Sequence, residues 1–169
     1  MKKILFLLCL MPGLTVAKVD THFGLGLGTQ YGGLAGFKFT LGNGGDRFSA
    51  GAGIANSDWD TEDAYGIALA WERLMTDQHA LGAFVRTSHR DLNHVAITRY
   101  DAIQDTLVIE RAGTFYETFV GGSYTYYFDS AKNSGLSAGI NIGKEYTHSD
   151  SYQEFENGIT WGLQIGYQF

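Results

Sequence analysis

The sequence predicts an all-β fold: an eight-stranded antiparallel up-and-down β-barrel that crosses a membrane. Three observations carry this expectation. Apolar and small residues alternate through eight segments; the last nine residues, Trp161 to Phe169 (WGLQIGYQF), alternate without a break and stop on Phe; and residues 1–17 have the make-up of an export signal. Alternation at period two marks a strand whose two faces meet different surroundings. No segment keeps a 3.6-residue period long enough to build a substantial helix.

At the N-terminus Lys2 and Lys3 precede an apolar run from Ile4 to Met11, a Pro12-Gly13 break and Thr15-Val16-Ala17. A charged start, a short apolar stretch and a small residue before the cleavage point are the parts of a secretory signal. The run falls short of the roughly 20 apolar residues of a membrane helix, and Leu8 ahead of Cys9 does not suit lipoprotein cleavage. Residues 1–17 are therefore expected to be a cleaved signal peptide and 18–169 a single barrel domain. Cys9 and Pro12 are the chain's single cysteine and proline and leave with the signal. Disulfides and cysteine-ligated metals are thereby excluded from the mature chain, and the lack of proline suits a continuous ladder of backbone hydrogen bonds. Loss of Lys2 and Lys3 takes the twelve Lys and Arg to ten against eighteen Asp and Glu, a formal charge of −8. Nucleic acid is not expected as a partner.

The segments run 22–31, 34–42, 47–55, 64–74, 79–90, 113–128, 135–146 and 157–169, most of them near the roughly 9 to 11 residues of a tilted membrane strand. In the first, Phe23, Leu25, Leu27 and Tyr31 oppose Gly24, Gly26 and Gly28. In the second and third, Phe37, Phe39 and Leu41 oppose Gly36, and Phe48 and Ile54 oppose Gly51 and Gly53. The fourth sets Tyr65, Ile67, Leu69 and Trp71 against Gly66, and the fifth Leu81 and Val85 against Gly82. Tyr116, Val120, Tyr124, Tyr126 and Phe128 oppose Gly121 in the sixth; Leu136, Ile140, Ile142 and Tyr146 oppose Gly139 and Gly143 in the seventh. The eighth sets Ile159 to Phe169 at odd positions against Gly158, Gly162 and Gly166. Strands exposing this much glycine to water would be poorly stabilised, whereas a membrane barrel turns its apolar set to lipid and its small set to a narrow lumen. Connection lengths agree. One side has short turns at 43–46, 74–78 and 129–134; the other has a tight turn at Gly32-Gly33 and longer charged loops at 56–63, 91–112 and 147–156. Short periplasmic turns and long outer loops are the bacterial pattern. Tyr31, Tyr65, Tyr116 and Tyr146 would form an outer aromatic girdle, and Trp71, Tyr126, Phe128, Tyr167 and Phe169 a periplasmic one.

On these residues the mature chain resembles the small eight-stranded bacterial outer-membrane barrels of the OmpA/OmpX type, Gly166-Tyr167-Gln168-Phe169 being similar to that group's Gly-Tyr-X-Phe ending. The resemblance implies residence in the outer membrane of a Gram-negative cell and a monomer surrounded by outer-membrane lipid and lipopolysaccharide. It also implies an assembly signal, Tyr167 and Phe169, read by the barrel assembly machinery. Families of this shape variously anchor the envelope, adhere to host surfaces, resist complement or modify lipid A, and the fold does not choose among these.

The expected lumen holds the charges Lys38, Arg47, Glu72, Arg86, Glu117 and Glu145, with Asn141, Gln164, Phe84, Phe115 and Phe119. A confined charge needs an opposite partner or several hydrogen bonds. Strand-end positions suggest Arg86 with Glu117 and Arg47 with Glu72. The set suits an ion path or a plug, and eight strands enclosing only side chains or one small ligand favour the plug.

In the loops, Asp58, Asp60, Glu62 and Asp63 resemble a Ca²⁺ loop only loosely, because Asp63 stands where Gly is required and Leu69 where the bidentate Glu belongs. A solvated acidic loop is expected, with no metal site and no cofactor. His94 to Tyr100 and Thr106 to Arg111, rich in β-branched residues, read as a hairpin prolonging the fifth and sixth strands. Val95, Ile97, Arg99, Tyr100, Leu107 and Ile109 make it a candidate partner-binding element, either through an exposed edge or as a cap on the barrel mouth. His148-Ser149-Asp150-Ser151 with Glu154 and Glu156, and Ser88-His89, supply the residue types of lipid A deacylases and acyltransferases. They lack the His-X-Ser order of such deacylases and the amphipathic N-terminal helix of the palmitoyl transferase. His22, His79 and His94 have no metal-ligand spacing. The expectation is a surface protein without catalytic residues, acting through its extracellular loops in adhesion, partner binding or envelope integrity. A lipid A or phospholipid-modifying enzyme and a small-solute channel are the alternatives.

Overall fold

The computed structural model describes residues 19–56, 64–91, 96–101, 106–111, 114–149 and 152–169. The expected signal, the acidic loop 57–63 and Val95 lie outside the described residues, as do Asp150 and Ser151. Ten strands follow one another: β1 Val19–Gly28, β2 Gly33–Asn43, β3 Asp46–Asn56, β4 Ala64–Leu74, β5 His79–Asp91, β6 Ala96–Asp101, β7 Thr106–Arg111, β8 Thr114–Tyr127, β9 Gly135–Ser149 and β10 Tyr152–Gln168. Eight of them close into a barrel in the order β1-β10-β9-β8-β5-β4-β3-β2, each antiparallel to its neighbours. β6 and β7 form a separate two-stranded sheet between β5 and β8. Among the described residues, no helix is long and apolar enough to cross a membrane.

The register sets the barrel's width. Following paired residues from Val19 through Asn43, Asp46, Arg73, Leu81, Tyr124, Ile140 and Leu163 returns to β1 one position beyond Gly28, so the circuit advances ten residues, from 19 to 29. Eight strands with this stagger tilt by roughly 35 to 45° and leave an interior just wide enough for side chains. The same stagger tilts the rim, and β10 from Tyr152 to Leu163 runs on beyond its last pairing with β1, Gly28 with Gln164.

Alternation puts the apolar set outside. Phe23, Phe37, Phe48, Ile67, Leu69, Ile142, Trp161 and Leu163 are all exposed on the outer wall, whereas Lys38, Thr40, Glu72, Ser123, Thr125, Asn141 and Gln164 are buried inside. One end of the barrel, the turn end, is bounded by 44–45, 75–78 and 129–134. There Asn43 pairs with Asp46 across the two-residue turn Gly44-Gly45, and Gly44 sits at φ 63, a left-handed conformation that glycine adopts without strain. The opposite loop end carries the β6–β7 hairpin.

Three expectations need correction. The first strand ends at Gly28 rather than 31, because residues 29–32 leave the wall. The 147–156 loop is mostly strand: β9 continues to Ser149 and β10 begins at Tyr152, the extra length absorbed by register shifts between Tyr152 and Phe155 and between Glu156 and Ile159. The 96–111 hairpin exists with Ile97 opposite Glu110 and Tyr100 opposite Leu107, yet it is a sheet of its own, not an unbroken prolongation of the barrel strands.

Candidate functional site

The lumen is filled from the chain's first connection. Thr29–Tyr31 form one turn of 3₁₀ helix, closed by the Gly32 N–H donating to the Thr29 carbonyl at 3.3 Å with Gly32 at φ 84. This turn lies inside the barrel against β1, β2, β3, β4, β5 and β10. Tyr31, expected in the outer girdle, is 1% exposed. Its place explains much of the glycine face. A Cβ at Gly26 would stand 2.6 Å from the Tyr31 ring, one at Gly166 would overlap the phenol, and one at Gly24 would lie 3.5 Å from its oxygen; at Gly36 and Gly53 a Cβ would strike the Tyr31 carbonyl, at Gly51 that of Gln30 and at Gly66 that of Gly32. The glycines are a bed for one segment. A ring outside would leave that bed as a void, which a close-packed interior does not tolerate.

Around this turn the buried charges are wired through neutral groups. Glu72, 2% exposed, accepts from Gln30 Nε2 at 2.9 Å and Thr125 Oγ1 at 2.5 Å on Oε1, and from Tyr127 Oη at 3.2 Å on Oε2. Lys38 Nζ donates to Gln30 Oε1 at 3.0 Å and sits 5.0 Å from the centre of the Tyr31 ring. Gln30 thus links Lys38 to Glu72 as a relay of dipoles. Arg47 stands opposite Glu72 in the register. Its guanidinium nevertheless donates to the Ala131 carbonyl and, at 3.1 Å, to Gln168 Oε1, and lies 5.1 Å from the Tyr127 ring. The expected Arg47–Glu72 ion pair is not formed, because the 129–134 turn folds under the barrel and brings its carbonyl groups to Arg47. That turn is fastened by the Ala131 N–H donating to the Asp77 carbonyl at 2.7 Å and by Gln168 Nε2 donating to the Ala131 and Asn133 carbonyls.

Towards the loop end the arrangement loosens. Arg86, Glu117 and Glu145 face inward and are half-buried. Phe119 is opposite Arg86 on one side and Glu145 on the other, and Glu117 is opposite Ser88, which makes Arg86 and Glu117 diagonal neighbours. No hydrogen bond or ion pair joins Arg86 to Glu117, correcting that expectation, and Arg86 Nε is buried without a partner. The buried cluster of Ala68, Ala70, Phe84 and Phe119 lies here, with the two phenyl rings 5.4 Å apart and Phe119 opposite Arg86 in the register. Asn141 donates to Thr29 Oγ1, and Gln164 Nε2 donates to Thr125 Oγ1 at 2.9 Å.

The residues that sequence reasoning missed are neutral: Thr29, Gln30, Thr125, Tyr127 and Gln168. Tyr127 and Gln168 could have been found by parity, since both fall on the inward-facing alternation of their strands. Gln30 could not, because its role depends on a connection leaving the wall.

Of the candidate catalytic residues, Ser88 and His89 are separated. Ser88 is buried inside while His89 lies on the outer wall with its ring 5.2 Å from Tyr116, and His148 is exposed on the outer wall opposite Tyr116. Successive strand residues point to opposite faces, so Ser88 and His89 do not form a dyad. Among the described residues no group of three or more His, Cys, Asp or Glu is placed to hold a metal. At the C-terminus, Tyr167 and Phe169 are on the outer wall with rings 4.9 Å apart, and the Phe169 N–H donates to the Phe23 carbonyl at 2.7 Å. Of the partner-binding candidates, Ile97, Arg99 and Tyr100 lie in β6, and Leu107 and Ile109 in β7. Comparison of the chain with known protein families, with characterised proteins and with solved structures gives no match in any of the three.

Proposed function

We propose that the protein is a small outer-membrane barrel of the OmpA/OmpX type in a Gram-negative cell. In this reading it is a monomer, set in outer-membrane lipid and lipopolysaccharide by the barrel assembly machinery. It acts without chemistry of its own, through its extracellular loops, in adhesion, partner binding or envelope integrity. The supporting observation is the inside-out distribution of side chains: a closed wall whose outward face is apolar and whose interior holds the buried charged and polar side chains around an inward turn and a small apolar cluster. Such a surface is costly in water and favourable in lipid. The aromatic levels agree, with Tyr65, Tyr116 and Tyr146 towards the loop end and Trp71, Tyr126, Phe128 and Tyr167 towards the turn end.

A filled interior argues for a scaffold rather than a conduit, which leaves the loop end as the working surface. There the β6–β7 sheet has two strands and therefore two edges suited to strand addition by a surface protein of another cell. Pro at Ile97 or Val108 is expected to remove ladder donors and weaken adhesion of expressing cells. The barrel itself should still migrate faster unheated than boiled. His148→Ala should leave adhesion unchanged. A lipid A mass change that depends on His148, with the proline variants fully adhesive, would establish the enzyme instead.

A further inference from the structure

The outer wall carries a groove of about 530 Å³ crossing β2, β3, β4, β5 and β8, within the size range of small-molecule clefts, roughly 300 to 1,000 Å³. It exists because two outward positions are small. Ala50 lies between Phe39 and Leu69 in the register, and Ala83 lies beside Trp71, so bulky neighbours stand around a floor of two methyl groups. At the turn end the groove runs into polar chemistry through Trp71, whose Nε1–H donates to Asp46 Oδ1 at 3.2 Å. Asp46 is opposite Arg73, the next outward residue of β4 after Trp71, and the carboxylate lies 3.7 Å from its guanidinium. Both remain open to a ligand, with 61% of the Arg73 side chain and 35% of the Asp46 side chain exposed. An apolar channel therefore ends at one cation and one anion set side by side.

We infer that the groove holds an acyl chain of a zwitterionic aminophospholipid from the leaflet at the turn end, with its phosphate on Arg73 and its ammonium on Asp46. The inference rests on the membrane reading above. Charge complementarity selects this lipid. A guanidinium presents several donors to phosphate oxygens, and Asp46 accepts from an ammonium but repels a second anion, so an anionic headgroup satisfies one half of the site and opposes the other. The indole of Trp71 suits the junction between chain and headgroup, being apolar along its body and polar at its N–H.

The test is native mass spectrometry of the full barrel in detergent with equimolar dioleoyl phosphatidylethanolamine and dioleoyl phosphatidylglycerol. One ethanolamine lipid is expected to be retained per protein, favoured by roughly ten- to a hundredfold, the equivalent of one charge-assisted hydrogen bond. Arg73→Gln should lower retention of both lipids, Asp46→Asn should erase the preference, and Ala83→Phe or Ala50→Leu, each filling the groove, should abolish retention. Faster migration before boiling certifies that each variant is folded. Equal retention of both lipids by the unaltered protein, or undiminished retention by folded Ala83→Phe and Ala50→Leu, overturns the site. Recovery of the protein in soluble fractions overturns the membrane reading and the site together; membrane recovery without selective retention overturns the site alone.

Discussion

The two ends of the lumen treat charge in different ways. At the turn end Lys38, Arg47 and Glu72 are almost fully enclosed, at 4%, 3% and 2% exposure, and each is met by amides, hydroxyls or carbonyl oxygens from two inward-folded connections and from the facing strands β8 and β10. At the loop end Arg86, Glu117 and Glu145 are register neighbours around Phe119 that do not bond one another and stay half-buried. Confinement, more than charge, sets the requirement. An enclosed carboxylate has to be given fixed donors by the chain, whereas half-buried groups nearer the mouth keep part of their surface open and, as at Arg86 Nε, can be left without a fixed partner.

The strongest challenge to this contrast is removal of the central acceptor. Glu72→Ala should lower stability by about 3 to 5 kcal/mol, because Lys38 and Arg47 lose the enclosed negative charge nearest to them; Glu72→Gln, which keeps an acceptor oxygen, should lose less. Urea unfolding in detergent micelles, followed by tryptophan fluorescence, measures both, and a Glu72→Ala loss no greater than that of Glu117→Ala would abolish the distinction. Next in size is Tyr31→Ala, about 3 kcal/mol or more from the cavity opened among glycines. Gly26→Ala should be destabilising beside Tyr31 and less so beside Ala at that position, so the pair should be non-additive in a double-mutant cycle. The smallest effect should come from Arg86→Met, about 1 kcal/mol or less, adding independently to Glu117→Leu. A strong coupling between those two would show that the loop end is wired like the turn end.

The wall was legible in the sequence because a period of two is a local property. Phe37-Lys38-Phe39-Thr40-Leu41 announces its two faces without reference to any other strand, and every connection between barrel strands could be read as a hairpin. The filling was not legible, because it depends on where two connections go. Gln30-Tyr31-Gly32-Gly33 has the composition of an outer turn with an interfacial tyrosine, and nothing nearby announces that Gly26 and Gly166, far apart in the chain, together shape a socket for it. Likewise Arg47 and Glu72 were correctly placed opposite one another, yet a register gives proximity only, and Ala131 and Gln168 outcompete the carboxylate for the guanidinium. The hairpin at 96–111 was readable from its β-branched residues alone.

The inward turn also bears on how the cylinder shuts. The seam between first and last strands is short, five register pairs from Gly24 with Gln168 to Gly28 with Gln164, against thirteen between β9 and β10. Tyr31 rests on Gly24 and Gly26 of one side of this seam and on Gly166 of the other, while Thr29 covers Gly162. Before the two edges meet, the tyrosine has only half its seat. Once they meet, unzipping them requires withdrawing an aromatic ring from a fitted hole. The turn is thus a latch that engages at closure, and it should slow reopening of the chain's weakest edge far more than it speeds the approach of the two strands.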